Sequence, residues 1–405
     1  MNIWIINHYA VPPNCPGGTR HYSLAKYLVQ RGHNVTIVAS SFNHTTRREV
    51  HLNPGECYKL DTVGGVRFLW LRTPPYAGNT VARVRNMLSF SHRVYRLVSP
   101  QLLGKPDVIL GSSPHLFAAL AAERLAARYA VPFVFEVRDL WPQSLIDLGG
   151  FNQHHPFIAM LEGIERHLYR RATRIITLLP GACDHMQRKG AARSKVDWIP
   201  NGIDLDLIPA PTPPRRTDTL TVMYAGSHGL ANGLEVVLEA AYLLQQNGWA
   251  QRIRFRLIGD GPEKPSLVRK SQELRLTNVS FEDPVPKQDI YKVLAEADAF
   301  LMVLKTSPLF RWGISPNKLF DYMVSARPVL FCVDTPFNIV EEARAGLSVS
   351  PGNPSELAKA AVRIAEMSYE ERWEMGMRGR MYVENNDSFS VLADKLEHTL
   401  RQATS

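Results

Sequence analysis

Lysine is a poor residue for the first turn of a helix, where the macrodipole is positive and carboxylates are favoured. The segment Ser315-Pro316-Asn317-Lys318-Leu319-Phe320-Asp321 places one there, two residues after the proline that opens a helix-period run. A bound anion would remove the conflict, and the unpaired N–H groups of the helix end would help to hold it. Asp321 follows three residues later on the same helix face, where a carboxylate can accept hydrogen bonds from a pair of ribose hydroxyls. A nucleotide phosphate and its ribose would satisfy both residues. The simpler alternative is an internal Lys318–Asp321 helix pair.

Four other short segments end an apolar run in residues able to do chemistry. In Tyr224-Ala225-Gly226-Ser227-His228-Gly229 two glycines bracket a hydroxyl and an imidazole, with amides that suit a pyrophosphate. A capping or surface role is the alternative for His228. Leu257-Ile258-Gly259-Asp260-Gly261-Pro262 reads as a strand followed by a tight turn, with or without a ligand. Gly17-Gly18 stands just before a helix that carries Arg20, which makes either a structural turn or a phosphate site. In Phe135-Glu136-Val137-Arg138-Asp139 an apolar strand runs into opposite charges, so the strand tip is either a salt bridge or a substrate site.

Loops like these are positioned by alternating strands and helices. Strands are expected at 3–7, 34–40, 66–71, 107–110, 132–137, 174–178 and 195–199, with helices at 18–31, 81–99, 114–129, 156–171 and 181–189. A stretch rich in Pro, Asp and Arg follows residue 200 and reads as a linker. The alternation then restarts, with strands at 220–224, 254–258, 279–281, 299–303, 328–332 and 347–349. Helices are expected between them at 232–247, 263–274, 287–296, 316–325 and 336–344, and three more at 354–367, 369–384 and 388–402 close the chain. The fold class is therefore α/β, with two doubly wound Rossmann-like domains, 1–200 and 201–385, facing a cleft between the carboxyl ends of their strands. The last segment, 386–405, is expected to cross back to the N-terminal domain.

Composition excludes several classes. With 405 residues, 45% hydrophobic and 21% charged, the chain is an ordinary folded protein rather than a disordered or fibrous one. Its four cysteines, Cys15, Cys57, Cys183 and Cys332, form no CxxC pair and no metal-ligand spacing, which points to a reducing cytoplasmic compartment and no metal. The start, MNIWIINHYA, has no basic region and too short an apolar run for a signal peptide. No run of 18 uncharged apolar residues suggests a membrane span. The formal charge of +9 is uneven: residues 1–200 carry 24 basic against 12 acidic side chains. Between Asp61 and Asp107 there is no acidic residue, while Arg67, Arg72, Arg83, Arg85, Arg93, Arg96 and Lys105 occur among Trp70, Met87, Phe90 and Tyr95. Such a stretch suits an anionic bilayer surface, or is a solvated basic face. A nucleic-acid role is the third option, and the stretch carries no recognisable nucleic-acid motif.

In this order the segments resemble the retaining, sugar-nucleotide-dependent glycosyltransferases of family four, which have the GT-B fold. SPNKLFDYMVSARPV is similar to that family's P-x-K-x-x-E-Y-M-A-x-G-x-P-V segment, and the Gly-Gly loop, the turn opening the second domain and GDGP fall in the same sequence. The resemblance is greatest to bacterial members that build O-antigen and capsule, including transferases of N-acetyl-L-fucosamine. It implies a metal-independent retaining hexosyltransferase without a cofactor, lying at the inner face of the cell membrane. Its donor would be a nucleotide-sugar, UDP-linked, and its acceptor a polyprenyl-diphosphate-linked saccharide. Donor contacts would come from Gly226, Ser227, His228, Gly259, Asp260, Ser315, Pro316, Asn317, Lys318, Leu319 and Asp321. Asp139, Arg138 and Lys318 would act in catalysis, and Gly17, Gly18 and Arg20 would form a phosphate or acceptor loop. The chain departs from the family at three points. Gly313 stands where the first of the usual Glu-x7-Glu carboxylates falls, the lysine after the second domain's opening glycine is missing, and Arg138 replaces a histidine before Asp139. A GT-B sugar-nucleotide epimerase and a non-catalytic sugar-nucleotide-binding protein are the rival readings.

Overall fold

Short apolar runs buried on both faces form parallel strands, and here they assemble two separate sheets. The computed structural model describes residues 1–78, 81–213 and 216–405. It divides into one unit of Met1–Pro200 with Phe389–Ser405, and a second of Asn201–Ser388.

The first unit begins with β1 (Asn2–Ile6), α1 (Arg20–Gln30) and β2 (Asn34–Ser40), followed by a small hairpin of β3 (Phe42–Asn43) and β4 (Arg48–Glu49). Next come β5 (Tyr58–Val63), β6 (Val66–Leu71), α2 (Val81–Leu97), α3 (Pro100–Leu103) and β7 (Val108–Ser112). The unit continues through α4 (Leu116–Tyr129), β8 (Phe133–Val137), α5 (Gln143–Asp147), α6 (Pro156–Arg171), β9 (Arg174–Thr177), α7 (Ala182–Arg188) and β10 (Val196–Trp198). The sheet order is β10-β9-β8-β7-β1-β2-β6-β5. Its strands are parallel except β5, which pairs antiparallel with β6. That strand was not expected, because its residues are largely exposed and carry no apolar run. The signal was in the turn: Gly64 and Gly65 have φ of 55° and 82°, the positive values that a two-residue hairpin loop requires.

The second unit contains β11 (Leu220–Ala225), α8 (Glu235–Gln246), β12 (Ile253–Ile258), α9 (Lys264–Glu273), β13 (Val279–Glu282), α10 (Ile290–Leu294) and β14 (Ala299–Val303). These are followed by α11 (Asn317–Val324), β15 (Val329–Cys332), α12 (Ile339–Glu342), β16 (Gly346–Ser348), α13 (Pro354–Glu366) and α14 (Tyr369–Asn386). Its strand order is β13-β12-β11-β14-β15-β16, all parallel. The stretch read as a linker is tied to this unit by buried Arg327. Its guanidinium donates to the carbonyls of Thr212, Ala295, Ala297, Ser325 and Ala326. No helix among the described residues is long and apolar enough to cross a membrane.

In both sheets the order reverses beside the first strand, between β1 and β7 in one and between β11 and β14 in the other. Ligands of open α/β sheets bind outside the carboxyl ends of the strands at such a point. The final helix, α15 (Phe389–Thr404), belongs to the first unit. Phe389, Leu392, Leu396 and Leu400, spaced as one helical stripe, enter the same core as Ile3, Ile5, Val35 and Ile37. At its surface Arg31 pairs with Asp394 at 2.8 Å and His33 meets Glu397 at 3.1 Å. Leu396→Ala should therefore behave as a core deletion and cost the first unit about 2–5 kcal/mol. Urea unfolding monitored in that unit would measure it, and a loss under about 0.5 kcal/mol would show that α15 is peripheral.

Candidate active site

In the second unit the loop after β11 and the turn after β12 are joined backbone to backbone. Gly226 N–H donates to Ile258 O at 3.0 Å, His228 N–H to Asp260 O at 2.9 Å, and Glu263 N–H to His228 O at 3.0 Å. This closeness is why both turn positions are glycine. A Cβ at Gly259 would stand 1.9 Å from Gly226 O, and one at Gly261 2.6 Å from His228 O. Gly226, Ser227, Gly259 and Asp260 thus come together. Asp260 is exposed, and its carboxylate accepts from Gly261 N–H at 2.8 Å.

Lys318 reaches this loop from α11. Its ammonium donates to Asn232 Oδ1 at 2.7 Å and to the Tyr224 hydroxyl at 3.0 Å. Tyr224 and Asn232 each donate in turn to Ser227 O, at 2.7 and 2.9 Å. Neither partner is a carboxylate, and burial pulls the Lys318 pKa down to about 7. Asp321 turns elsewhere: its Oδ1 accepts from the Tyr291 hydroxyl at 2.7 Å. Burial lifts the Asp321 pKa to about 6, against the Tyr291 hydrogen bond and the charge of Lys287. The internal Lys318–Asp321 pair is not formed.

Several expected donor contacts need correction. The His228 imidazole, expected to face a ligand, is 0% exposed and packs between the Tyr224 and Phe281 rings, with neither nitrogen hydrogen-bonded. The backbone pairing of His228 with Asp260 and Glu263 fixes that orientation. Ser315 is engaged by the chain itself, its hydroxyl accepting from Asn201 N–H at 2.8 Å and its carbonyl from Asn201 Nδ2 at 2.6 Å. Leu319 is a core residue whose N–H bonds to Pro316 O, so it has no free group to offer. Pro316 is the N-cap of α11 rather than its first residue, and Asn317 is exposed at the helix start.

In the first unit the organising residue is Glu136, at the end of β8 and fully buried. Its carboxylate accepts from Arg20 Nε at 2.9 Å, His21 Nε2 at 2.6 Å and the Ser112 hydroxyl at 2.5 Å. Burial alone would raise its pKa, but Arg20 and His21 hold it well below the usual carboxylate range. Arg20 also donates to the carbonyls of Ile199 and Pro200. Its expected contact with a phosphate is therefore corrected: the guanidinium is buried and fully committed to the protein. The open choice at the strand tip is resolved by division. Glu136 forms the salt bridge with Arg20, while Arg138 and Asp139 beyond it form no ion pair with each other among the described residues.

Arg138 N–H donates to the Ser113 hydroxyl at 2.8 Å, and its buried Nε has no hydrogen-bond partner. A Cβ at Gly18 would lie 3.8 Å from the Arg138 guanidinium, so the Gly17-Gly18 loop and Arg138 adjoin. Asp139 is open at its surface, yet the protein packed around it raises its pKa, against the Arg138 charge. Tyr224, Asn232, Tyr291 and His21 were not expected in these arrangements. Each comes from a different element than its partner, and spacing along the chain does not show such contacts. Among the described residues no group of three or more His, Cys, Asp or Glu side chains is placed to hold a metal ion.

Comparison with known proteins agrees with the two-unit reading. Residues 17–202 match the family described as "Glycosyl transferase 4-like domain", and residues 219–367 match "Glycosyl transferases group 1". The glycosyl transferase WcaI of Escherichia coli (strain K12), named for colanic acid biosynthesis, is 24% identical over 312 residues, covering 73% of this chain and 74% of that one. Sucrose-phosphate synthase from Thermosynechococcus elongatus superposes with a TM-score of 0.75 at 16% identity, over 99% of this chain and 98% of its own. Anabaena HepE, solved in complex with UDP and glucose, gives a TM-score of 0.66 at 14% identity over 99% of both chains. At these identities the structural likeness shows the fold. The chain is a glycosyltransferase with the GT-B fold, whose first part matches a glycosyl transferase 4-like domain and whose second part matches a group 1 glycosyl transferase domain.

Proposed function

We propose that this enzyme transfers a sugar with retention from a UDP-sugar to a saccharide carried on a polyprenyl diphosphate, at the inner face of a bacterial cell membrane. The sugar is inferred to be an N-acetylated hexosamine or deoxyhexosamine, and the product an O-antigen or capsule polysaccharide. The observation that carries this reading is Lys318, an amine at a helix N-terminus whose partners are Tyr224 and Asn232 rather than a carboxylate. A diphosphate supplies the negative charge that both the lysine and the helix end favour. WcaI, named for colanic acid biosynthesis, and HepE, solved with UDP and glucose, support the choice of product and donor.

On this reading the second unit holds the donor. Its diphosphate lies along Gly226, Ser227 and the Gly259-Asp260 turn, and its ribose reaches Asp321. The acceptor oxygen bonds to the anomeric carbon on the face from which the diphosphate departs. The acceptor proton passes to the departing phosphate oxygen, so no protein nucleophile is needed. Lys318, protonated, stabilises the charge growing on the diphosphate. Arg138 and Asp139 are assigned to the sugar and acceptor, and Gly17-Gly18 to a phosphate beside Arg138. No metal ion takes part, and turnover is expected to persist in EDTA. A complete loss that Mg²⁺ restores would overturn that assignment.

The Lys318 pKa gives a sharper test. Above pH 7 the free amine is neutral, so binding a diphosphate takes up a proton and affinity falls, by up to about tenfold per pH unit between roughly pH 7.5 and 9. The effect on stability has the opposite sign. The unfolded lysine keeps its proton up to about 10.5, so the ligand-free protein gains stability as pH rises from 7 toward that value. Calorimetric titration of UDP across this range should show the slope in the wild type and its loss in Lys318→Met. A flat wild-type profile, or no binding of any nucleoside diphosphate, would overturn the donor site. At 100 times its dissociation constant the nucleotide should also stabilise the fold by about 2.7 kcal/mol.

Membrane association rests on α2. Val81, Arg85, Leu88, His92, Tyr95 and Arg96 form one exposed stripe, opposite the buried Asn86, Met87, Phe90 and Val94. Basic side chains near an anionic surface contribute about 1 kcal/mol each. Sedimentation with phosphatidylglycerol vesicles should retain the wild type and release Leu88→Glu combined with Arg85→Glu. Equal binding to neutral vesicles would overturn the electrostatic part.

A further inference from the structure

The second unit has another concavity, at the edge of its sheet and away from the residues assigned to the donor. A cavity of about 610 Å³ runs along β16, the edge strand, and is walled by α13 and α14. Since β14 and β15 lie between β16 and β11, strand spacing alone sets it about 14 Å from β11. Four cations from three places in the chain line it: Arg344 in the turn before β16, Lys359 and Arg363 on α13, and Arg378 on α14. Lys359 and Arg363, four residues apart, share one face of their helix. Arg378 Nε donates to Arg344 O at 3.0 Å, which brings the α14 guanidinium onto the turn that carries Arg344. All four residues are exposed.

Among the described residues none of the four forms an ion pair with a carboxylate, although other exposed cations of this unit do, as Lys292 does with Asp289 and Arg216 with Glu370. Residues 201–388 hold 24 acidic side chains against 21 basic ones, so the groove is not part of a generally basic surface. Its two carboxylates are engaged by the chain itself: Glu341 accepts from the Ser348 hydroxyl at 3.3 Å, and Glu356 from Ser350 N–H at 3.0 Å. Lys359 helps to lower the Glu356 pKa without closing to an ion pair. The strand adds a donor of its own. Val349 N–H bonds inward to Phe331 O at 2.9 Å, so by alternation Ser348 N–H points outward from the open edge. A guanidinium fork matches one phosphate, and four cations around one cavity suit two, in a volume typical of small-molecule sites. The apolar lining residues Leu347, Val349, Ala360 and Met375 are all at least partly buried, which leaves no exposed apolar face for a lipid chain. We propose that this groove binds a soluble small molecule carrying a diphosphate or two phosphate groups, at a site separate from that of the donor.

The test is calorimetric titration of the full chain, and of its Lys318→Met variant, with inorganic pyrophosphate, inorganic phosphate and geranyl diphosphate. With the donor site disabled by Lys318→Met, one pyrophosphate should still bind, about tenfold or more tightly than phosphate and at least as tightly as geranyl diphosphate. Adding Lys359→Gln and Arg363→Gln should weaken that binding about tenfold or more; both positions are exposed on α13, where glutamine is a good helix former. Arg344→Gln, outside that helix, should weaken it as well. With Lys318 intact, the same groove substitutions should remove one of two pyrophosphate sites and leave the Lys318-dependent affinity for UDP unchanged. No pyrophosphate binding beyond the Lys318-dependent site, or binding that survives both groove variants, would overturn the site. Phosphate binding as tightly as pyrophosphate would overturn the two-phosphate class, and tighter binding of geranyl diphosphate would overturn the soluble ligand in favour of a prenyl headgroup. Groove-dependent pyrophosphate binding in a chain that binds no UDP would keep this site and sink the donor reading, whereas UDP binding with no second pyrophosphate does the reverse.

Discussion

A carboxylate removed from water costs several kcal/mol unless its lone pairs are met, and the whole carboxyl edge of the first sheet depends on meeting those of Glu136. Arg20 and His21, consecutive on α1, and Ser112 at the end of β7 converge on it. One group therefore fixes the start of α1 against the tips of β7 and β8. The Gly17-Gly18 loop leads into that helix, and Arg138 and Asp139 lead out of β8. Through Arg20 the same ion pair also holds the Ile199 and Pro200 carbonyls, where the chain leaves the unit. Glu136 contributes this only while ionised, and Arg20 and His21 beside it hold its pKa well below the usual carboxylate range.

The second unit solves the converse problem. Its buried Arg327 is held by five carbonyl contacts, a cage that satisfies a fixed guanidinium and leaves nothing for a ligand. Lys318 is held by two neutral oxygens, which satisfy an amine but do not balance an ammonium. The difference separates a structural cation from one poised to respond to an anion. Tyr224 and Asn232 keep Lys318 beside Gly226 and Ser227, and Tyr322 anchors its helix, taking Ala225 N–H at 2.8 Å and donating to Ala225 O at 3.0 Å.

How much of this was legible in the sequence follows from how local each signal is. A strand ending in glycines before a helix is written in consecutive residues, so the loops at Gly17, Gly226 and Gly259 could be placed without coordinates. The conflict of Lys318 with its helix dipole is equally local. Its partners were not legible, because Tyr224 and Asn232 stand on either side of the β11 loop and meet Lys318 only through the fold. The same holds for Tyr291 with Asp321 and for His8 with His115, the latter 107 residues apart. His228 misled for a related reason: its place between two glycines suggested exposure, whereas pairing with the turn after β12 encloses it. Strand β5 has a polar pattern, and only the Gly64-Gly65 pair announced it.

The uneven charge of the chain acquires a structural meaning once its carboxylates are traced. In the first unit Glu123 serves Arg124, His167 and Arg171, Glu136 serves Arg20 and His21, Glu162 serves Arg166 and Lys189, and Asp197 takes Arg174. Acidic side chains are thus consumed in binding the helices and strands of the unit to one another, commonly two cations to one carboxylate. Among the described residues Arg47 on the hairpin and Arg85 and Arg96 on α2 form no such ion pair. A loop cation with a carboxylate beside it would have to surrender that partner before it could take a phosphate, losing most of the interaction it gains. Arg47, Arg85 and Arg96 can therefore meet an anion without that exchange.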